Sequence, residues 1–139
     1  MTTRWEHFDH QADIGIRGYG PTVEAAFEQA GLAVTSVMVP VERVAEDSLI
    51  VVQCEAPDLE LLLVDWLNGI LREMSAKRMV FSRFHVTLDG TRLRGELWGE
   101  LINSQRHEPS GEVKGASYYE ARVWQDEDGG WVAQCVVDV

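Results

Sequence analysis

Cysteine is scarce in this chain, with two in 139 residues. Cys54 and Cys135 both sit in apolar runs and have no CxxC spacing, which excludes a disulfide framework or a zinc ribbon and leaves buried free thiols in a reducing compartment. Cations are also in short supply. Twelve Lys and Arg face 23 Asp and Glu, for a formal charge of −11; binding to a phosphate backbone draws on clustered cations, so no direct nucleic-acid binding is expected from the chain alone. A basic protein partner suits that field better. No run approaches 18 uncharged apolar residues, and the opening Met1 to His7 carries no apolar leader core, so a cytoplasmic protein with no membrane segment is expected. Internal repeats, low-complexity tracts, a GxSxG elbow, an HExxH pair and a Walker A loop are all missing, which removes the commonest hydrolase and nucleotide-binding signatures.

What is present is enough apolar content, 45%, to build one core in one domain spanning 1–139. Arg4 to Phe8 reads as a first strand. The glycine-rich Ile14 to Gly20 reads as a flexible strand or loop, and as a weak candidate phosphate cradle that has the wrong glycine order. Thr22 is placed to cap a helix whose apolar positions run from Val23 to Met38 at helical spacing, with Pro40 closing it. After a strand within Leu49 to Glu55, Pro57-Asp58 opens the strongest helix, with a stripe of Leu59, Leu62, Leu63, Trp66, Leu67, Ile70, Leu71 and Met74. Asp89-Gly90 joins two strand-like runs, Met79 to Leu88 and Arg92 to Glu100, as a hairpin. A polar stretch, Asn103 to Glu112, precedes a strand from Val113 to Trp124, and Asp126 to Gly130 turns the chain into a final strand from Trp131. The predicted class is α+β: two main helices packed on a mixed or mainly antiparallel sheet of about six or seven strands.

The final strand ends on Asp138 and the carboxylate of Val139. Period-two alternation puts Val132, Gln134, Val136 and Asp138 on one face, and if both faces are buried the end is pinned. Carboxylates held side by side repel, and a hard cation relieves that repulsion. Asp9, His10 and Asp13 crowd a segment that should bend, while His107 and Lys114 flank the polar stretch. Any of these can equally be structural: a turn cap, a satisfied histidine or a solvated loop. The one assembly capable of chemistry is His10, Asp13, His107, Asp138 and the Val139 carboxylate, an oxygen-rich set suited to Ca²⁺, Mg²⁺ or Mn²⁺.

Four separated segments resemble one known family. These are Phe8-Asp9-His10-Gln11-Ala12-Asp13-Ile14-Gly15-Ile16, Leu62 to Asn68, Arg106-His107 with Val113 to Tyr118, and Val136 to Val139. Together, in order and over nearly the whole chain, they are similar to the archease family. The resemblance implies an accessory protein of the RtcB-type RNA ligase, which joins RNA ends in tRNA splicing and repair. Such a protein promotes guanylylation and turnover of the ligase and is not itself the enzyme. It also implies that the family's metal-binding residues fall on Asp13, Asp138 and Val139, and His10 and His107 match family motifs too; Asp9 and Lys114 are further candidates from their place in the chain. The sequence departs at Gln11, where the family usually has threonine, and at Gly115-Ala116-Ser117. Two rival readings stand beside this one: a chaperone or interaction module for an RNA-modifying enzyme such as a tRNA methyltransferase, and a metal-dependent hydrolase.

Overall fold

The computed structural model describes residues 2–139. Seven strands form two antiparallel sheets, and two long helices lie between them as a shared middle layer. In chain order the elements are β1 (Arg4–His10), β2 (Asp13–Gly20), α1 (Val23–Met38), a 3₁₀ turn (Val41–Arg43), β3 (Ser48–Glu55), α2 (Leu59–Lys77), β4 (Met79–Asp89), β5 (Arg92–Leu101), the short α3 (Ser104–His107), β6 (Gly115–Gln125) and β7 (Trp131–Asp138). One sheet runs β1-β2-β7-β6 and the other β3-β5-β4. The α+β class and strand count agree with the sequence reading, and every ladder is antiparallel. The division into two sheets is new. Strand order is set by long-range pairing, which local patterning does not encode.

The helices form where capping and periodicity placed them. Thr22 accepts the Ala25 N–H at 3.1 Å and Asp58 accepts the Leu61 N–H at 2.8 Å, each satisfying a donor the helix itself leaves free. At the other end of α2, Arg78 turns left-handed at φ 54° and donates its N–H to the Met74 carbonyl. The α2 stripe is core as expected: Leu62, Leu63, Trp66, Leu67 and Ile70 have no exposed surface. The Trp66 indole N–H donates to the Phe27 carbonyl at 3.0 Å, tying α2 to α1.

The glycines of β2 build a contact, not a loop or phosphate cradle. A Cβ on Gly18 would lie 2.2 Å from the Ala26 carbonyl oxygen and 2.4 Å from the Ala30 nitrogen. Helix α1 can therefore lie directly on the strand only because that side chain is missing. Gly95 does the same for α2, since its Cβ would fall 2.1 Å from the Trp66 ring.

The polar stretch also differs from a solvated loop. It contains α3, capped by Asn103, whose side chain accepts the Gln105 and Arg106 N–H groups at 3.0 Å. Beyond it Val113 is buried in the core without pairing, so β6 starts at Gly115.

Candidate functional site

β7 is buried on both faces: Val132, Gln134 and Val136 on one side, Ala133, Cys135 and Val137 on the other. Ile14 pairs with Val137, so the next position outward on each strand is Asp13 and Asp138. Asp138 in turn pairs with Gly115, and its carbonyl accepts the Lys114 N–H at 2.8 Å. Directly opposed residues share a face with Cβ atoms about 5 Å apart. Asp13 and Asp138 thus stand opposite each other at one end of the four-stranded sheet, and Val139 follows, exposed. No cation pairs with Asp13 or Asp138 among the described residues.

His10 joins this end, because it is the register partner of Asp13 across the two-residue turn Gln11-Ala12. Its Nε2 lies 3.0 Å from Glu120 Oε2, and its Nδ1 is buried with no partner. Glu120 belongs to a wide bulge in β6: Ser117 pairs with Val136 and Arg122 with Gln134, so the four residues Tyr118–Ala121 stand opposite Cys135 alone. Among the described residues four non-glycine positions have positive φ, and two of them, Gln11 at 54° and Glu120 at 63°, lie here. Strained backbone persists where the surroundings hold it in place.

Two other candidates are placed elsewhere. Asp9 pairs with Ile14 and so takes the opposite face of the sheet from His10 and Asp13. His107 is fully buried beside the three-stranded sheet. Its Nδ1 accepts the Asn103 N–H at 2.8 Å, so Nε2 carries the proton and donates to Glu100 Oε2 at 2.9 Å. Arg106 binds the other oxygen of Glu100, and the Ala45 N–H donates to the carboxylate at 2.7 Å. The Ala45 N–H and then the His107 ring hold that carboxyl below its usual range. This is a buried structural knot, and the pattern that exposed His107 in the sequence was the polarity of its neighbours.

Asn68 and Glu120 are the site residues that sequence reasoning did not assign. The Asn68 amide donates to the Ala116 carbonyl at 3.2 Å and accepts the Ala116 N–H at 2.9 Å, standing in for a strand partner on the free edge of β6. That holds Gly115 against Asp138. The signal was a polar residue on α2 beside its apolar stripe; for Glu120 the sequence carries no signal, because a left-handed glutamate has no local signature.

The side-chain oxygens of Asp13 and Asp138, in opposed register, are of the type a hard divalent cation takes. Among the described residues no group of three or more His, Cys, Asp or Glu side chains is placed to hold a metal ion. Neither cysteine is a nucleophile here. Burial pushes the Cys54 thiol up to about 11, and burial, together with the Asp138 charge, pushes Cys135 up to about 12. No helix of the described residues is long and apolar enough to cross a membrane.

Fold and site together define a small, acidic two-sheet α+β protein with a carboxylate-bearing end. The chain belongs to the archease family, whose family model matches residues 5–139. It is 41% identical over 140 residues to protein archease of Pyrococcus furiosus and 39% identical to that of Pyrococcus abyssi, covering in each case 98% of this chain and 99% of the relative. Its fold is that of the solution structure of Methanobacterium thermoautotrophicum protein 1598, with TM-score 0.85, 34% identity, and coverage of 97% of this chain and 98% of that one. A crystal structure from Thermotoga maritima, described as an archease and possible chaperone, shares the fold at TM-score 0.60 and 18% identity, covering 96% of each chain.

Proposed function

We propose that this chain is the accessory protein of an RtcB-type RNA ligase, promoting its guanylylation and turnover in tRNA splicing and RNA repair. One observation carries the reading: the register that brings Asp13 beside Asp138 at an exposed end of a sheet. On this proposal Asp13, Asp138 and the Val139 carboxylate hold a divalent cation, Ca²⁺, Mg²⁺ or Mn²⁺. When bound, the ion supplies positive charge for nucleotide transfer on the partner. Asn68 and the Lys114 N–H orient the end of β7 by fixing the strand beside it. The chain's net charge of −11 speeds encounter with a ligase that must carry cations to grip RNA.

The test is single-turnover guanylylation of the ligase with the native chain, with a chain extended beyond Val139, and with an N-terminally extended one. The native and N-terminally extended forms should accelerate the step, and the C-terminal extension should abolish acceleration by moving the terminal carboxylate. Equal stimulation by the C-terminally extended form refutes the scheme. A chaperone for an RNA-modifying enzyme is the second reading, beside a Thermotoga fold neighbour described as a possible chaperone; full partner activity of both Asp13→Ala and Asp138→Ala would select it. The hydrolase reading relied on His10 or His107 as base, and both ring nitrogens of His107 are already engaged in a buried knot.

A further inference from the structure

The bulge in β6 has no counterpart in the work of the carboxylates. Seven large hydrophobic side chains are exposed among the described residues, and three of them, Tyr118, Tyr119 and Val139, lie at the acidic end. Tyr119 is 70% exposed, and its ring packs edge-on against His10, with centroids 6.4 Å apart. His10 is itself the register partner of Asp13, so Tyr119 packs on the residue that faces Asp13, with Tyr118 next to it in the bulge.

The bulge is also held rigidly. Glu120, at φ 63°, reaches His10 at 3.0 Å; the Gln134 amide donates to the Glu120 carbonyl at 3.3 Å, and the Ser117 hydroxyl accepts the Tyr119 N–H at 3.1 Å. Protection of a sheet edge does not account for it. Asn68 and Glu60 already occupy the outward N–H groups of Ala116 and Val123 on either side of the bulge. A strained, pre-ordered loop that displays two tyrosines is what a binding anchor needs: large contact area at a low ordering cost.

We propose that Tyr118 and Tyr119 are the docking anchor of the acidic end, seating it in a basic cleft of a protein partner. The occupant follows from charge. Glu120 follows the tyrosines in the bulge and Asp13 and Asp138 lie at the same end of the sheet, on a chain of net charge −11, so the complementary surface is cationic with apolar spots between its charges. The inference rests on the ligase reading above and adds the surface by which the partner is held. The tyrosines supply the short-range contact that sets residence time, and the carboxylates supply the long-range attraction that sets encounter.

The experiment measures binding of the native chain to the immobilised RtcB-type ligase across a salt series. Comparison variants are Tyr118→Ala with Tyr119→Ala, Asp13→Asn with Asp138→Asn, and the control Leu49→Ala with Val51→Ala on the other sheet. The tyrosine pair should weaken binding at least tenfold through faster dissociation, with the salt dependence unchanged. The aspartate pair should slow association and flatten that dependence, and the control should stay within twofold. In parallel, the ligase should shield Tyr118 and Tyr119 of the unmodified chain from hydroxyl-radical labelling, a readout that needs no variant. Native affinity in the tyrosine variant, equal loss in the control, or unshielded tyrosines would overturn the anchor while leaving the ligase reading intact. Failure of the native chain to bind the ligase at all would overturn both.

Discussion

Asp13→Asn should make the ion-free protein more stable and the ion-loaded protein less so. Register on β2 and β7 places Asp13 opposite Asp138, where opposed Cβ atoms lie about 5 Å apart, and that separation is taken for the two charges. Their repulsion at that distance is about 0.8 kcal/mol in water and about 3 kcal/mol at an effective dielectric of 20. Asp138 is exposed and Asp13 half-buried, so about 1 kcal/mol is expected. Asparagine keeps the shape and removes the repulsion. In chelator the variant should therefore melt roughly 3–4 °C higher than the native chain, given the entropy of unfolding at this length. A divalent ion at about 100 times its dissociation constant stabilises the native chain by about 2.7 kcal/mol, or roughly 8–11 °C on the same scale. The variant should lose most of that rise. Differential scanning calorimetry with EDTA and then with Ca²⁺, Mg²⁺ or Mn²⁺ reads both effects. A variant that melts no higher than native in EDTA and keeps the full ion-induced rise would show that the two carboxylates neither repel nor share a cation.

Glu100→Ala strips the buried His107 and the Ala45 N–H of their acceptor and should cost about 3 kcal/mol in urea unfolding; a loss under about 1 kcal/mol would refute the knot. Because the Glu100 carboxyl is held low in the folded protein, its contribution is complete above the unfolded value of about 4.3 and fades as pH falls through the folded one. Glu100→Gln should accordingly flatten that part of the acid limb. Gly95→Ala drives a Cβ to within 2.1 Å of the Trp66 ring, which Phe27 holds from the far side, and should lower stability by about 2–3 kcal/mol at constant m-value. Cys135 is buried while Cys54 is only half-buried, not fully buried as the sequence suggests; with thiols raised to about 12 and about 11, both should resist aromatic disulfide reagents at pH 8 and react in urea, and rapid labelling of Cys135 in the native chain would contradict its burial.

Both long helices and most strands were legible in the sequence because each announces itself locally, whereas α3 lay in a stretch read only as polar. Thr22 and Asp58 are caps followed by 3.6-residue apolar spacing, and Asp89-Gly90 is a turn between alternating runs. β1 runs two residues further than its pattern suggested, to His10, because those residues pair with β2 instead of bending away from it. Of the site candidates, Asp13, His10, Asp138, Val139 and the backbone of Lys114 come together, whereas His107 and Asp9 do not. Nothing local distinguishes His107 from His10. Both lie in polar segments, and only the packing of α3 buries the former against Glu100.

By itself the sequence determined the class of fold, the two helices and their inner faces, the excess of negative charge and the apolar strand that carries Asp138 to its end. These are properties of neighbours along the chain, governed by propensity, capping and period. The tertiary structure alone decided that seven strands divide into two sheets, that residues 13 and 138 become adjacent, and that Glu120 reaches across the sheet to His10. Those facts depend on strand order, which joins β2 to β7 across more than a hundred residues of chain, and on a four-residue bulge fixed by the register of β6 on β7.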